Sequence, residues 1–198
     1  MIKKIGAKIF ANYIHQKNQK WIKNPLSAQQ KTFDYLIQKA KSTDFGIDHK
    51  FHQIKNYQDF QSLVPIRDYE GHRAYVDKML EGASSVLWPG KPLYYAKTCG
   101  TTSGAKYIPL TKESMPTHIT AARDALLNYI HETGKTDFVN GKQIFLQGSP
   151  TLNKKNGNII GRLSGIVAHY VPSTQDTDGD GVMDWFEKYQ FGNLDLGP

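Results

Sequence analysis

The run Ala96-Lys97-Thr98-Cys99-Gly100-Thr101-Thr102-Ser103-Gly104-Ala105-Lys106 has the residue types that hold phosphate. Hydroxyls at Thr98, Thr101, Thr102 and Ser103 alternate with Gly100 and Gly104, and Lys106 closes the run. Glycine lets backbone N–H groups turn toward an anion, and small hydroxyls donate to its oxygens. The closing lysine adds a point charge suited to a triphosphate. The spacing is not that of a Walker A loop, which needs four residues between its first glycine and a Gly-Lys-Ser/Thr ending. Here Ala105 precedes the lysine and Tyr107 follows it, so the magnesium-binding hydroxyl is missing. No Gly-x-Gly-x-x-Gly dinucleotide fingerprint occurs in this region either. The plain alternative is a polar surface turn.

A second constellation lies near the end of the chain. Asp176-Thr177-Asp178-Gly179-Asp180-Gly181-Val182-Met183-Asp184-Trp185-Phe186-Glu187 fits the calcium-loop pattern at every ligand position. Asp176, Asp178 and Asp180 would supply carboxylate oxygens, Val182 a backbone carbonyl, Asp184 a water-mediated contact and Glu187 two closing oxygens. Gly181 falls where the loop must turn sharply. Acidic groups this close repel one another unless a cation sits among them. Pro172 and several β-formers precede the loop, which argues against an entering helix, whereas Trp185 to Phe191 suits a short exiting helix ending at Gly192. The loop-then-helix form resembles the calcium repeats of extracellular modules. The alternative is a solvated acidic turn.

The phosphate-like loop gains meaning from its flanks. Thr43-Asp44-Phe45-Gly46, Val64-Pro65-Ile66-Arg67-Asp68-Tyr69-Glu70, Val86-Leu87-Trp88-Pro89-Gly90, Tyr107-Ile108-Pro109-Leu110-Thr111 and Gly161-Arg162-Leu163-Ser164-Gly165 occur in that order. Together with the loop they resemble the auxin-responsive-promoter family of acyl acid–amido synthetases, in the acyl-adenylate-forming superfamily. The resemblance covers residues 1 to about 172 and implies an α/β fold, the incomplete N-terminal part of such an enzyme. It also implies a two-step ligase reaction. ATP and a carboxylic acid give an acyl-adenylate and pyrophosphate, and an amine then attacks the activated carbonyl. The family-implied contacts to the β- and γ-phosphates are Thr98, Gly100, Thr101, Thr102, Ser103, Gly104 and Lys106, with Mg2+ neutralising charge. Cys99 stands where the family usually has serine, and a thiol is a poorer donor. No individual catalytic residue is assigned. The family's later adenine-, ribose- and magnesium-binding segments and its mobile C-terminal domain are not found, so the expectation is a truncated enzyme that is weakly active or inactive alone. The competing function is a calcium-binding structural or adhesion module, with the basic body as scaffold.

Charge divides the chain at the same place. Residues 176–198 hold six acids and one base, leaving 24 bases and 12 acids of the chain's 25 and 18 in residues 1–175. The formal +7 therefore conceals a basic body and an acidic tail. The organisation read from this is a partial adenylate-forming domain over 1–172 and a calcium-loop-like tail over 173–198. A single cysteine excludes an internal disulfide framework and fits the cytoplasm. No apolar run reaches the length of a transmembrane span. The lysines are scattered, without a zinc, helix-turn-helix or RNA-stacking signature, so nucleic acid is not an expected partner. Oligomeric state, acyl acid and amine are not indicated.

The elements that must position these residues can be outlined. Met1 to Lys20 carries Ile2, Ile5, Ile9, Phe10, Tyr13 and Ile14 at helical spacing, as a helix packed on its own domain or a basic amphipathic helix on an acidic membrane. Ser27-Ala28-Gln29-Gln30 reads as a capping box for a helix with Phe33, Leu36, Ile37 and Ala40 inward. Asp68 caps another, with Tyr69, Val76, Met79 and Leu80 inward. Strands are expected at 93–97 and 107–110, either side of the loop, and at 142–147. A longer helix over 112–131 would turn Met115, Ile119, Ala122, Leu126 and Ile130 inward. Leu152 to Leu163 reads as a hairpin around Asn156-Gly157. Gln147-Gly148-Ser149 at a strand end and His169 are weaker candidates for ligand contact.

Overall fold

The computed structural model describes residues 2–98, 104–140, 149 and 151–170. The expected strand at 142–147, Gln147 and Gly148, the loop centre at 99–103 and the tail from 171 lie outside them. Helices α1 (Ile2–Ile22), α2 (Pro25–Ala40), α3 (Asp44–Asp48), α4 (Tyr57–Leu63) and α5 (Tyr69–Leu80) come first. Strands β1 (Tyr94–Lys97) and β2 (Tyr107–Leu110), helix α6 (Met115–Thr133), strands β3 (Asn153–Lys155) and β4 (Asn158–Gly161) and helix α7 (Leu163–Tyr170) follow. They form two compact units, one containing α1, α6 and α7, the other spanning Asn24–Ser114 and Leu152–Arg162.

In the first unit α1 and α6 run antiparallel, as their polar pairs show: Asn12 meets His131, His15 meets Asn128, and Asn18 meets Asp124. Ala7, Ala11 and Ile14 pack with Leu127 and Ile130, and Phe10, Phe138 and Val139 flank them. Of the apolar residues at helical spacing in α1, Ile14 is buried and Phe10 flanks the cluster, whereas Ile5, Ile9 and Tyr13 are exposed. Two apolar stripes lie on opposite sides of α1. The side with two alanines faces the packed residues of α6, because small side chains allow close helix approach. In α6 the inward residues are Met115, Ile119, Leu127 and Ile130, whereas Ala122 is exposed and Leu126 half-buried.

In the second unit the sheet order is β2-β1-β4-β3. β1 and β2 form an antiparallel pair in which Tyr94 faces Leu110 and Lys97 faces Tyr107. β4 runs parallel to β1, placing Tyr95 beside Ile160 and Ala96 beside Gly161. β3 returns antiparallel to β4 through Asn156 (φ 51°) and Gly157 (φ 79°), the two positive-φ residues of a tight hairpin turn. Helix α5 covers the sheet: Val76 and Met79 pack with Val86, Tyr95 and Ile160, and Tyr69 and Leu80 lie against that cluster. The Asp68 carboxylate accepts the Gly71 N–H at 2.9 Å, as its capping role requires. A separate cluster of Ile37, Ala40, Phe51 and Ile54 holds α2. That helix starts at Pro25 after Asn24, earlier than the expected box at Ser27, because proline is favourable in the first helical position. Leu36 is exposed rather than inward.

Candidate functional site

The site is built on the stem of the β1–β2 hairpin. Extended backbone at Tyr94–Lys97 and Tyr107–Leu110 pairs in register up to Lys97 and Tyr107. One further bond closes the neck, with the Thr98 N–H donating to the Lys106 carbonyl at 2.9 Å. The glycine- and hydroxyl-rich residues are therefore the connection between two sheet strands, as the sequence implied. Of the candidate ligands, Thr98 and Gly104 are exposed and Lys106 is half-buried; Gly100, Thr101, Thr102 and Ser103 lie outside the described residues. Gly104 has φ +81°, a conformation that L side chains rarely adopt, and nothing lies within 4 Å of where its Cβ would stand.

Lys106 is held from below by α5. Its Nζ lies 5.4 Å from the centre of the Tyr69 ring, and the Arg73 guanidinium carbon lies 5.7 Å from the same ring. The Tyr69 hydroxyl accepts the Tyr107 N–H at 2.9 Å. Arg73 donates two hydrogen bonds to Glu70. Those bonds hold the Glu70 carboxyl below its ordinary range, and the Lys106 charge pulls in the same direction. Two cations, Lys106 and Arg73, thus share the Tyr69 ring, whose hydroxyl holds the first residue of β2. Tyr69 is the residue that sequence reasoning missed, because its apolar spacing marked it as core. The signal available was its place directly after the cap residue Asp68.

The parallel pairing brings a further cation to this sheet edge. Ala96 pairs with Gly161, so Thr98 and the exposed Arg162 both lie just past the carboxyl ends of adjacent parallel strands. Ligands of α/β sheets bind at such ends. An open depression of about 210 Å³ beside the second hairpin is lined by Asp77, Glu81, Lys155, Asn156 and Tyr107 among others. Its mixed charges do not single out a ligand. Ser149, the described part of the weaker candidate Gln147-Gly148-Ser149, is exposed and its Oγ accepts the Thr151 N–H. His169 is an exposed residue of α7. The calcium-loop residues Asp176, Asp178, Asp180, Val182, Asp184 and Glu187 lie outside the described residues. No described helix is long and apolar enough to cross a membrane.

The profile of the GH3 family N-terminal domain matches residues 14–177. The chain belongs to the GH3 family. Indole-3-acetic acid-amido synthetase GH3.15 of Arabidopsis thaliana is 35% identical over 83 residues, which cover 40% of this chain and 14% of that enzyme. The solved structure of GH3.15 acyl acid amido synthetase superposes with a TM-score of 0.59 at 22% identity, over 68% of this chain and 24% of the other. The complex of that Arabidopsis enzyme with 2,4-DB gives 0.59 at 20% identity, over 69% and 24%. The α/β fold is thus shared with the N-terminal region of these proteins. The chain spans about a quarter of the length of those solved relatives.

Proposed function

We propose that this chain carries the ATP-phosphate cradle of an acyl acid–amido synthetase, an enzyme that adenylates a carboxylic acid and passes the acyl group to an amine. The observation that carries the reading is the closed hairpin neck. Thr98 and Lys106 are locked together at 2.9 Å beneath a connection made of glycines and hydroxyls. Such a neck fixes both ends of the connection, Thr98 and Lys106, on the sheet, which lowers the cost of bringing them to a phosphate. Thr98, Gly100, Thr101, Thr102, Ser103, Gly104 and Lys106 would hold the β- and γ-phosphates, and Arg162 lies at the same edge to share their charge. Mg2+ would come with the nucleotide and neutralise developing charge at the α-phosphorus. The family assignment supports ATP, a carboxylic acid and an amine as the substrates.

Calorimetric titration of the chain with ATP and Mg2+ tests this directly, because it asks for binding and not for turnover. Wild type should bind, and Lys106→Ala should weaken binding by about ten- to hundred-fold, the value of one hydrogen bond to a charged group at roughly 1.5–3 kcal/mol. Equal affinity in the two proteins would remove the loop from the site.

The acidic segment at 176–187 supports a second, separate proposal: residues Asp176 to Glu187 bind one Ca2+ in a tail distinct from the body at 1–172. What supports it is the complete ligand spacing in the sequence.

A further inference from the structure

The tetrapeptide Asn-Tyr-Ile-His occurs twice, as Asn12-Tyr13-Ile14-His15 in α1 and Asn128-Tyr129-Ile130-His131 in α6. Both copies sit in the same phase of their helices. Ile14 and Ile130 are 4% and 1% exposed, while Tyr13 and Tyr129 are 58% and 45% exposed. Because the helices are antiparallel, each histidine faces the other copy's asparagine. His131 Nδ1 lies 2.7 Å from Asn12 Oδ1, and His15 Nδ1 lies 3.4 Å from Asn128 Oδ1. The two imidazoles stack with centroids 3.7 Å apart at 19°. One ring nitrogen from each, with a carboxylate oxygen of Glu132, lies within 4.8 Å of the others.

We propose that His15, His131 and Glu132 bind a divalent d-block cation of the Zn2+ or Ni2+ class. An amide oxygen accepts, so each Asn Oδ1 places the imidazole proton on Nδ1 and leaves the lone pair on Nε2. Metal-ligating histidines are held this way, with one nitrogen on an outer acceptor and the other on the ion. Two imidazoles and a carboxylate suit borderline-soft cations better than Ca2+ or Mg2+, which prefer all-oxygen shells. A zinc tetrahedron with bonds of about 2.0–2.1 Å has edges of about 3.4 Å. The 4.8 Å spread is wider than that, and near-parallel stacked rings aim their in-plane lone pairs side by side, so binding requires the imidazoles to turn out of the stack as the exposed Glu132 closes in. Three protein ligands leave a coordination position for water.

Titration of the full chain with Zn2+ and with Ni2+, in excess Ca2+ to occupy the acidic tail, is the test. Wild type should bind one ion that the His15→Ala/His131→Ala double variant has lost. Asn12→Ala and Asn128→Ala should each weaken binding by about ten-fold or more through the outer partners. Should the double variant fail to fold, Glu132→Gln at an exposed position should still weaken binding by about ten-fold. Ni2+ added to wild type should broaden the imidazole resonances of His15 and His131 before those of the other five histidines of the seven. Wild-type titrations without binding, an affinity unchanged in the folded variants, or first broadening at other histidines would each overturn the site.

Discussion

Lys106 lies over the ring of Tyr69, whose hydroxyl accepts the N–H of Tyr107, so one side chain of α5 fixes both the closing charge and the backbone of the candidate loop. The two functions can be separated. Tyr69→Phe keeps the ring and removes the acceptor, whereas Tyr69→Leu removes both. We expect Tyr69→Phe to cost about 0.5–1.5 kcal/mol of stability. It should alter ATP affinity less than Tyr69→Leu, which also loses a cation–π contact worth about 0.5–1 kcal/mol at an exposed site. Denaturant unfolding and ATP titration of both variants check the order.

Tyr95 is a different case. It is 1% exposed on β1, and its hydroxyl has no hydrogen-bond partner among the described residues. Burial pushes the phenol up from 10.0 to about 12. The folded state therefore holds the proton more tightly than the unfolded chain. The sign follows: the contribution is fully present below pH 10 and is lost as pH rises to about 12. Tyr95→Phe should lose less stability over that interval than wild type. At neutral pH it should be neutral or more stable by up to about 1 kcal/mol, since an unsatisfied buried hydroxyl is removed. Melting curves at neutral and alkaline pH decide it, and a large neutral-pH loss in Tyr95→Phe would mean the hydroxyl has a partner.

Thr43 and Gly46 show why the Thr-Asp-Phe-Gly motif has its composition. Thr43 is buried, caps α3 by accepting the Gly46 N–H at 3.1 Å, and donates to the Ala40 carbonyl at 2.7 Å. A Cβ on Gly46 would collide with that same carbonyl oxygen. We expect Thr43→Ala to cost about 1–2 kcal/mol and Gly46→Ala about 3 kcal/mol or more, because backbone has to move. Urea midpoints would reveal whether that ranking holds.

For the tail, terbium luminescence sensitised by Trp185 should appear on adding Tb3+ and be competed away by Ca2+. Asp176→Ala combined with Glu187→Ala should abolish it. A signal that survives both substitutions would place the ion elsewhere.

Much of the scaffold was legible because local chemistry agreed with the fold. The Asp68 cap, the strands either side of the loop and the Asn156-Gly157 turn all stand where the residues alone place them. Helix faces were read less well. In α1 the helical spacing picked out Phe10 and Ile14, which pack, together with Ile5, Ile9 and Tyr13, which are exposed, and it passed over the buried Ala7 and Ala11. Hydrophobic size alone does not report how closely a partner helix approaches. In α6 the stripe through Ile119 and Leu127 skips Ala122, a residue too small to mark a side. The loop's composition was legible, whereas its support by Tyr69 was not, because a ring beneath a lysine depends on a contact between distant parts of the chain. The paired tetrapeptide could have been noticed, but only the antiparallel packing gives it meaning.

The pairing of β1 with β4 sets an order of assembly. The β1–β2 hairpin is made of near neighbours and can form early, but the strand that flanks it on the other side ends at Gly161, far along the chain. Non-local pairs of this kind are slow to form, since closure entropy is lost before contact is gained. The hairpin must then wait, one edge bare, while the nascent polypeptide emerges to Ile160 and beyond. During synthesis, the connection between Thr98 and Lys106 would gain its second flanking strand late and abruptly, when residues 158–161 dock.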